Sequence, residues 1–206
     1  GILNLILFLA LINFTASMYN AALPAMVLSK PEGGKIALGA VNAFTGVASI
    51  VGSLLVTVLP TPKKRTRVIL NSLLFSMSTE NFILAFARTP AAWCVGAVLG
   101  WLAVPFMGAN LDALFRLKIP VEMQGRVYSA RNTLQFFTIP LGYLCGGFLV
   151  DNVFEPFMRT KSGLLVTLFG NGKGSGAAFL FFVIGVFGVV SCLPFRFNRH
   201  IKELEK

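Results

Sequence analysis

The stretch AAWCVGAVLGWLAVPFMGANLDALF, residues 91–115, carries a single charged side chain, Asp112, and that one lies close to its end. At about 1.5 Å of rise per residue it is long enough to cross a hydrocarbon layer of about 30 Å as a helix. On its C-terminal side the chain turns polar: residues 122–132 read EMQGRVYSARN, with Gly125 between Glu122 and Arg126 and with Arg131 beyond. After that knot the sequence becomes apolar again. A long apolar run, a short basic interruption and a second apolar run are the pattern of consecutive membrane crossings.

Composition agrees with this reading. Hydrophobic residues make up 55% of the 206 residues and charged ones 13%, and mean hydropathy is +0.76; a soluble domain has about 45–50% and about 25%. Runs of about 20 apolar residues recur at 2–28, 36–59, 68–87, 91–115, 132–150 and 176–194, which predicts an all-α membrane protein with six transmembrane helices. Helices are expected because the lipid interior offers no partner for free backbone groups, and no ten-residue alternation of a membrane barrel is present.

The charge of +10 is parcelled into short loops rather than gathered on one face, which argues against a nucleic-acid partner. If the chain starts inside, the cytoplasmic set is Lys63, Lys64, Arg65, Arg67, Arg116, Lys118, Arg126, Arg131, Arg196, Arg199, Lys202 and Lys206. The opposite set is Lys30, Lys35, Arg88, Arg159, Lys161 and Lys173. The imbalance puts both termini in the cytoplasm, as expected in a bacterial-type plasma membrane, and the 122–132 knot with them. The chain begins with Gly rather than Met and has no basic leader, so it reads as starting inside a longer polypeptide.

Chemistry-bearing groups are few. Cys94, Cys145 and Cys192 lie inside apolar runs and read as packing residues, and the single His200 sits in the charged tail, so neither a metal site nor histidine-based catalysis is expected. The run GNGKGSG, residues 170–176, can be forced onto a dinucleotide-binding pattern. It precedes an apolar span instead of following a strand, and it reads as a flexible linker; no cofactor is expected.

Polar side chains inside the spans are more informative. Asn13, Ser17 and Asn20 share one face of the first helix, and Asn42, Thr45, Ser49 and Ser53 form a stripe on the second. Such stripes look toward other helices or a wet cavity, as close packing or as cavity lining. Glu80, in the run STEN, falls at membrane depth, where a carboxyl is a proton-carrier candidate; the alternative is a structural acid with Arg88 as a neighbour. In the fourth span Gly96 and Gly100 offer a small-residue contact, Pro105 a kink, and Asp112 a helical pair with Arg116 four residues on. Gln135 and Thr138 lead the fifth span into Pro140, Gly142, Gly146 and Gly147, which permit close backbone approach. Residues 177–190 carry no polar side chain and are expected to face lipid.

On these features the chain resembles one half of a major facilitator superfamily transporter, in which twelve helices form two six-helix halves. Residues 104–156, VPFMGANLDALFRLKIPVEMQGRVYSARNTLQFFTIPLGYLCGGFLVDNVFEP, resemble the tenth and eleventh helices and their connecting loop in the macrolide-efflux-like branch. Residues 38–56, LGAVNAFTGVASIVGSLLV, resemble its eighth helix and 172–182, GKGSGAAFLFF, the start of its twelfth. The loop LPTPKKRTR keeps a basic cluster but lacks the Asp of the superfamily's signature loop. The resemblance implies a C-terminal half and makes the third helix, with Glu80, a peripheral one.

Together these readings give an expected function: secondary active, ion-coupled efflux of small amphipathic molecules by alternating access, without enzyme activity. Asn13, Ser17, Asn20, Asn42 and Gln135 are the cavity candidates, and Glu80 and Asp112 the proton-coupling candidates. Pro120 and Gly125 are expected to end one helix and turn the chain, so that Glu122, Gly125, Arg126 and Arg131 form a cytoplasmic gate whose ion pairs open and close. The expected partners are the lipid bilayer, a small-molecule substrate and an N-terminal six-helix half. The rival reading is a six-helix membrane scaffold or assembly protein, in which the stripes only pack helices and the knot only anchors orientation.

Overall fold

The computed structural model describes residues 1–197, with side chains to 195. His200, Arg199, Lys202 and Lys206 lie outside the described residues, as does the side chain of Arg196. The chain forms α1 (Ile2–Ser29), α2 (Lys35–Val58), α3 (Arg65–Phe86), α4 (Pro90–Lys118) and α5 (Val121–Phe148). A π-helical segment (Leu149–Phe154) carries α5 into α6 (Glu155–Arg159), and α7 (Leu164–Phe169) and α8 (Ser175–Phe197) follow. The described residues contain no strand, and six helical segments are long and apolar enough to cross a membrane.

Helix α1 is apolar over most of its circumference, interrupted by Asn13, Ser17 and Asn20, and a helix of that kind belongs inside a bundle. Leu5, Phe8, Leu9, Ala22, Met26 and Val27 are all buried. It packs along α5 and α8, α3 packs between α4 and α8, and α2 lies along α4. The flanking helices α2 and α5 bury little of their surface; Phe44, Val47, Ile50 and Leu54 on α2 and Phe136, Phe137 and Leu144 on α5 are exposed. In lipid such side chains carry no penalty, so exposure here is not a folding defect.

Close helix contact comes from small residues. A Cβ at Gly142 would lie 2.5 Å from the Phe14 carbonyl oxygen and from Ser17 Cβ, and one at Gly146 would lie 2.9 Å from Met18 Cα. These two glycines, four residues apart, let α5 seat directly on α1. At Gly147 a Cβ would meet nothing within 4 Å among the described residues.

Three expectations change. The 122–132 knot is not a loop: α4 runs to Lys118, the turn is only Ile119 and Pro120, and the knot forms the first turns of α5. Pro120 ends α4 because the residue before a proline avoids the α region, and it then starts α5 without needing its missing N–H. Gln124 Nε2 donates to the Ile119 carbonyl at 3.1 Å, tying the two helix ends together. Gly125 therefore sits inside a helix and does not break it.

The 170–176 run is an ordered turn rather than a linker. Gly170, Gly172 and Gly174 take positive φ of 91°, 86° and 88°, a region open to glycine at little cost. The Gly174 N–H donates to the Glu155 carboxylate, and a Cβ at Gly176 would lie 2.6 Å from the Phe154 carbonyl carbon.

Residues 177–190 do not simply face lipid. Ala177, Ala178, Leu180, Phe181 and Ile184 are buried against the bundle, whereas Val183, Val186, Phe187 and Val190 are exposed. Hydropathy is the same toward lipid and toward an apolar helix face, so only packing separates the two. Near the start of α8, Phe179 and Phe182 join Phe86 and Phe169 in an aromatic cluster with centroids 5.2–6.3 Å apart, which anchors short α7. At the same end of the bundle Lys30 is buried, with its ammonium 5.9 Å from the Trp93 ring centre. Burial first and then Arg88 hold that ammonium below the usual lysine range, with Glu32 opposing them. Arg88 turns away from Glu80 and donates to the Val166 and Thr167 carbonyls.

Candidate functional site

Glu80 lies 15 positions beyond Arg65, the first residue of α3, about 22 Å along the helix. It is 6% exposed. Two donors converge on one oxygen: the Tyr19 hydroxyl from α1 donates to Glu80 Oε1 at 2.5 Å, and Trp101 Nε1 from α4 donates to the same atom at 3.1 Å. A buried carboxyl needs such donors, because removal from water without replacement hydrogen bonds is strongly unfavourable.

Space for the carboxyl is made by Gly100. A Cβ there would meet Glu80 Cβ at 2.6 Å and the carboxyl carbon at 2.8 Å. The pair Gly96 and Gly100, expected from sequence to be a helix contact, is therefore also the notch in α4 that admits the acid of α3.

The acid opens into a cavity of about 250 Å³ bounded by α1, α3, α4, α5 and α8. Its wall is mostly apolar, with Leu9, Ile12, Leu73, Met77, Met107 and Ile184, and its polar side chains are Asn13, Thr15, Tyr19, Asn20, Ser76, Asn81, Trp101 and Gln135 beside Glu80. Asn20 is exposed at the edge of the cavity. Asn13 Nδ2 donates to the Gln135 carbonyl at 2.8 Å and to Thr138 Oγ1 at 3.2 Å, so this amide also ties α1 to α5. Glu80 is thus in the interior of the six-helix bundle.

Two of the cavity candidates lie elsewhere. Ser17 is buried at the Gly142 contact and donates to the Asn13 carbonyl at 2.9 Å; its offset from Asn13 places it on the α5 side, where packing uses it. Asn42 is exposed on α2, away from the cavity. Conversely, Tyr19 and Trp101 were not legible as partners of the acid, because an aromatic ring in an apolar run looks the same whether it packs or donates.

The gate candidates resolve into one ion pair and three exposed residues. Arg131 Nη1 lies 2.9 Å from Asp112 Oδ1, with Arg131 mostly buried and Asp112 half exposed. The guanidinium lies 5.5 Å from the Phe115 ring centre and 6.0 Å from that of Tyr128. Asp112 thus pairs across to α5 rather than with Arg116 on its own helix, which separates it from the Glu80 cavity. Arg131 Nε is buried without an acceptor among the described residues. Glu122, Gly125 and Arg126 are exposed, and the last two edge an open groove with Ser129, Ala130 and Thr133. The nearby Arg65 reaches Asn110 Oδ1 at 3.4 Å, linking the start of α3 to the same stretch of α4.

The arrangement can hold and release a proton at Glu80, accept a small ligand beside it, and tie α4 to α5 by a charge pair at one end. The chain matches no protein-family model and no curated protein.

Proposed function

We propose that this chain is one six-helix half of a secondary active transporter that exports small amphipathic molecules by ion-coupled alternating access, as its resemblance to the macrolide-efflux-like branch of the major facilitator superfamily implies. The observation that carries this reading is the Glu80 carboxyl, buried at membrane depth yet open to a ligand-sized cavity and held by two neutral donors. An intramembrane acid in contact with a cavity is costly to maintain for packing alone and is suited to carrying a proton. The exposed faces of α2 and α5 fit burial against an N-terminal half, within the same chain or a second subunit. Loop charge orients both termini to the cytoplasm. In this reading the Arg131–Asp112 pair forms in one conformation and opens in the other, biasing the cycle. The test is efflux of an amphipathic substrate from proteoliposomes holding the complete transporter, with and without an imposed proton gradient. Gradient-dependent efflux is expected, and efflux indifferent to the gradient overturns proton coupling. A protein that moves no substrate under either condition is the scaffold of the rival reading.

A further inference from the structure

We propose that the cleft between the adjoining ends of α2 and α4 and the start of α3 binds one anionic phospholipid, with its phosphate at Arg65 and an acyl chain against the apolar wall. The proposal holds whether the bundle transports or only scaffolds, and the Glu80 cavity plays no part in it.

Helices α2 and α4 meet closely at Gly52, where a Cβ would lie 2.5 Å from the Leu102 carbonyl oxygen and 3.1 Å from Pro105 Cγ. One turn on, Val56 and Leu59 of α2 and Phe106 of α4 instead line a cavity of about 400 Å³, closed by Pro60 and Pro62 of the connecting turn and by Arg65 and Asn110. Proline fixes φ, so the turn that walls the cleft is stiff before any ligand arrives.

The polar end of the cleft is held in place from the protein side. Asn110 is 5% exposed. Its Nδ2 donates to the Phe106 carbonyl at 2.9 Å, which leaves Oδ1 to accept from Arg65 Nη1 at 3.4 Å. That long contact with a neutral oxygen positions the guanidinium without neutralising it. Lys63 and Lys64 precede it and are exposed, and no carboxylate pairs with any of these three cations among the described residues. The sequence has no acidic residue between Glu32 and Glu80, and Asp112, two residues beyond Asn110, is taken by Arg131. Three cations at the positive end of a helix repel one another and oppose its dipole, a conflict that an anion in the cleft relieves.

Location selects the source of that anion. The cleft lies where α2 ends and α3 begins, which is headgroup depth for both crossings. Loop charge assigns this side to the cytoplasm, whose leaflet carries anionic lipid, and basic pockets between transmembrane helices on that side suit such headgroups. A free phosphate would leave Val56, Leu59 and Phe106 in water, whereas a glycerophospholipid fills the charged and the apolar parts together. The cleft volume of about 400 Å³ lies within the range of about 300–1,000 Å³ usual for small ligands. It takes a headgroup and the first part of a chain, and the exposed Leu55 and Leu59 continue the apolar surface for the rest.

The experiment is competition on the purified full-length protein in nonionic detergent, with a fluorescent-tailed phosphatidylglycerol as tracer. The competitors are dioleoyl phosphatidylglycerol, dioleoyl phosphatidylcholine and inorganic phosphate. Phosphatidylglycerol is expected to compete at least about tenfold better than phosphatidylcholine, which has the same chains and a phosphate but no net charge. Inorganic phosphate at equal concentration is expected not to compete. Arg65→Gln is expected to bring the two lipids within about threefold of each other, while Arg126→Gln, which removes an exposed cation from α5, leaves the difference in place. Equal competition by the two lipids in the unsubstituted protein overturns the proposal, and needs no variant to fold. So does a preference that survives in a folded Arg65→Gln protein. Phosphate competing as well as phosphatidylglycerol overturns it in favour of a free-anion site, and an equal loss in Arg126→Gln overturns it in favour of diffuse charge. A tracer that finds no site, as when an acidic protein segment already fills the cleft, overturns it as well.

Discussion

Glu80 and Asp112 are both acids on neighbouring helices, and the bundle treats them oppositely. Glu80 is enclosed, faces a cavity and is met by the neutral donors Tyr19 and Trp101. Asp112 is half exposed and is met by the charged Arg131. A carboxyl held by neutral dipoles can change its protonation without stranding a counter-charge. The Asp112 carboxylate instead holds the Arg131 guanidinium beside Phe115 and Tyr128. In the proposed function the same functional group serves exchange in one place and clasping in the other.

The comparison breaks first at Glu80. Glu80→Gln keeps the shape and removes the ionisable proton, and gradient-driven efflux is expected to fall at least about 100-fold, the order of a lost proton-transfer group. Asp112→Asn under the same flux assay is expected to keep most of the gradient dependence. Equal losses in the two variants would erase the distinction.

Gly100→Ala tests the notch. The added methyl meets the Glu80 side chain, and overpacking of that kind costs about 1–3 kcal/mol, read as a lower thermal midpoint in detergent. Gly147→Ala is the matched control, since nothing lies near a Cβ there, and an unchanged midpoint is expected.

Asp112→Asn tests the clasp by stability. The pair is partly exposed, and pairs of that kind are worth about 0–1 kcal/mol. A small midpoint loss that shrinks in high salt is expected, and a salt-independent loss would point to packing instead. Arg126→Ala, at an exposed position, is expected to change stability by less than about 0.5 kcal/mol.

Lys30 gives the smallest effect and a sign that can be checked. Its ammonium is held below the usual lysine range by burial and Arg88, so the folded state binds its proton less well than the unfolded chain. Stability contributed by this residue should therefore rise as pH climbs from its lowered folded value toward the ordinary one. Midpoints measured from neutral pH upward are expected to show this rise in the unsubstituted protein and to lose it in Lys30→Met.

Much of the architecture was legible before any coordinates. The six crossings follow from run length, because a helix of fixed rise must match a layer of fixed thickness. The contact at Gly96 and Gly100 followed from small residues at four-residue spacing, and of the fifth-span glycines expected to allow close approach, Gly142 and Gly146 do so while Gly147 does not. The end of α5 nearest the knot was misread because Gly125 and a cluster of charges look like a loop, yet interior glycine costs a helix only about 1 kcal/mol, and exposed charges on a helix extending past the apolar layer cost nothing.

Sequence by itself determined what is dictated by local chemistry and by the bilayer: all-helical spans, their number, and which residues are polar at membrane depth. The tertiary structure decided which of those polar residues share a space. It gathered Asn13, Asn20, Glu80 and Gln135 around one cavity, sent Ser17 and Asn42 elsewhere, matched Asp112 with Arg131 instead of Arg116, and supplied Tyr19 and Trp101 to the buried acid. The reason is that helical periodicity fixes a residue's angle only around its own axis. What that direction meets depends on the rotation and neighbours of five other helices, and those are set by packing across the whole bundle.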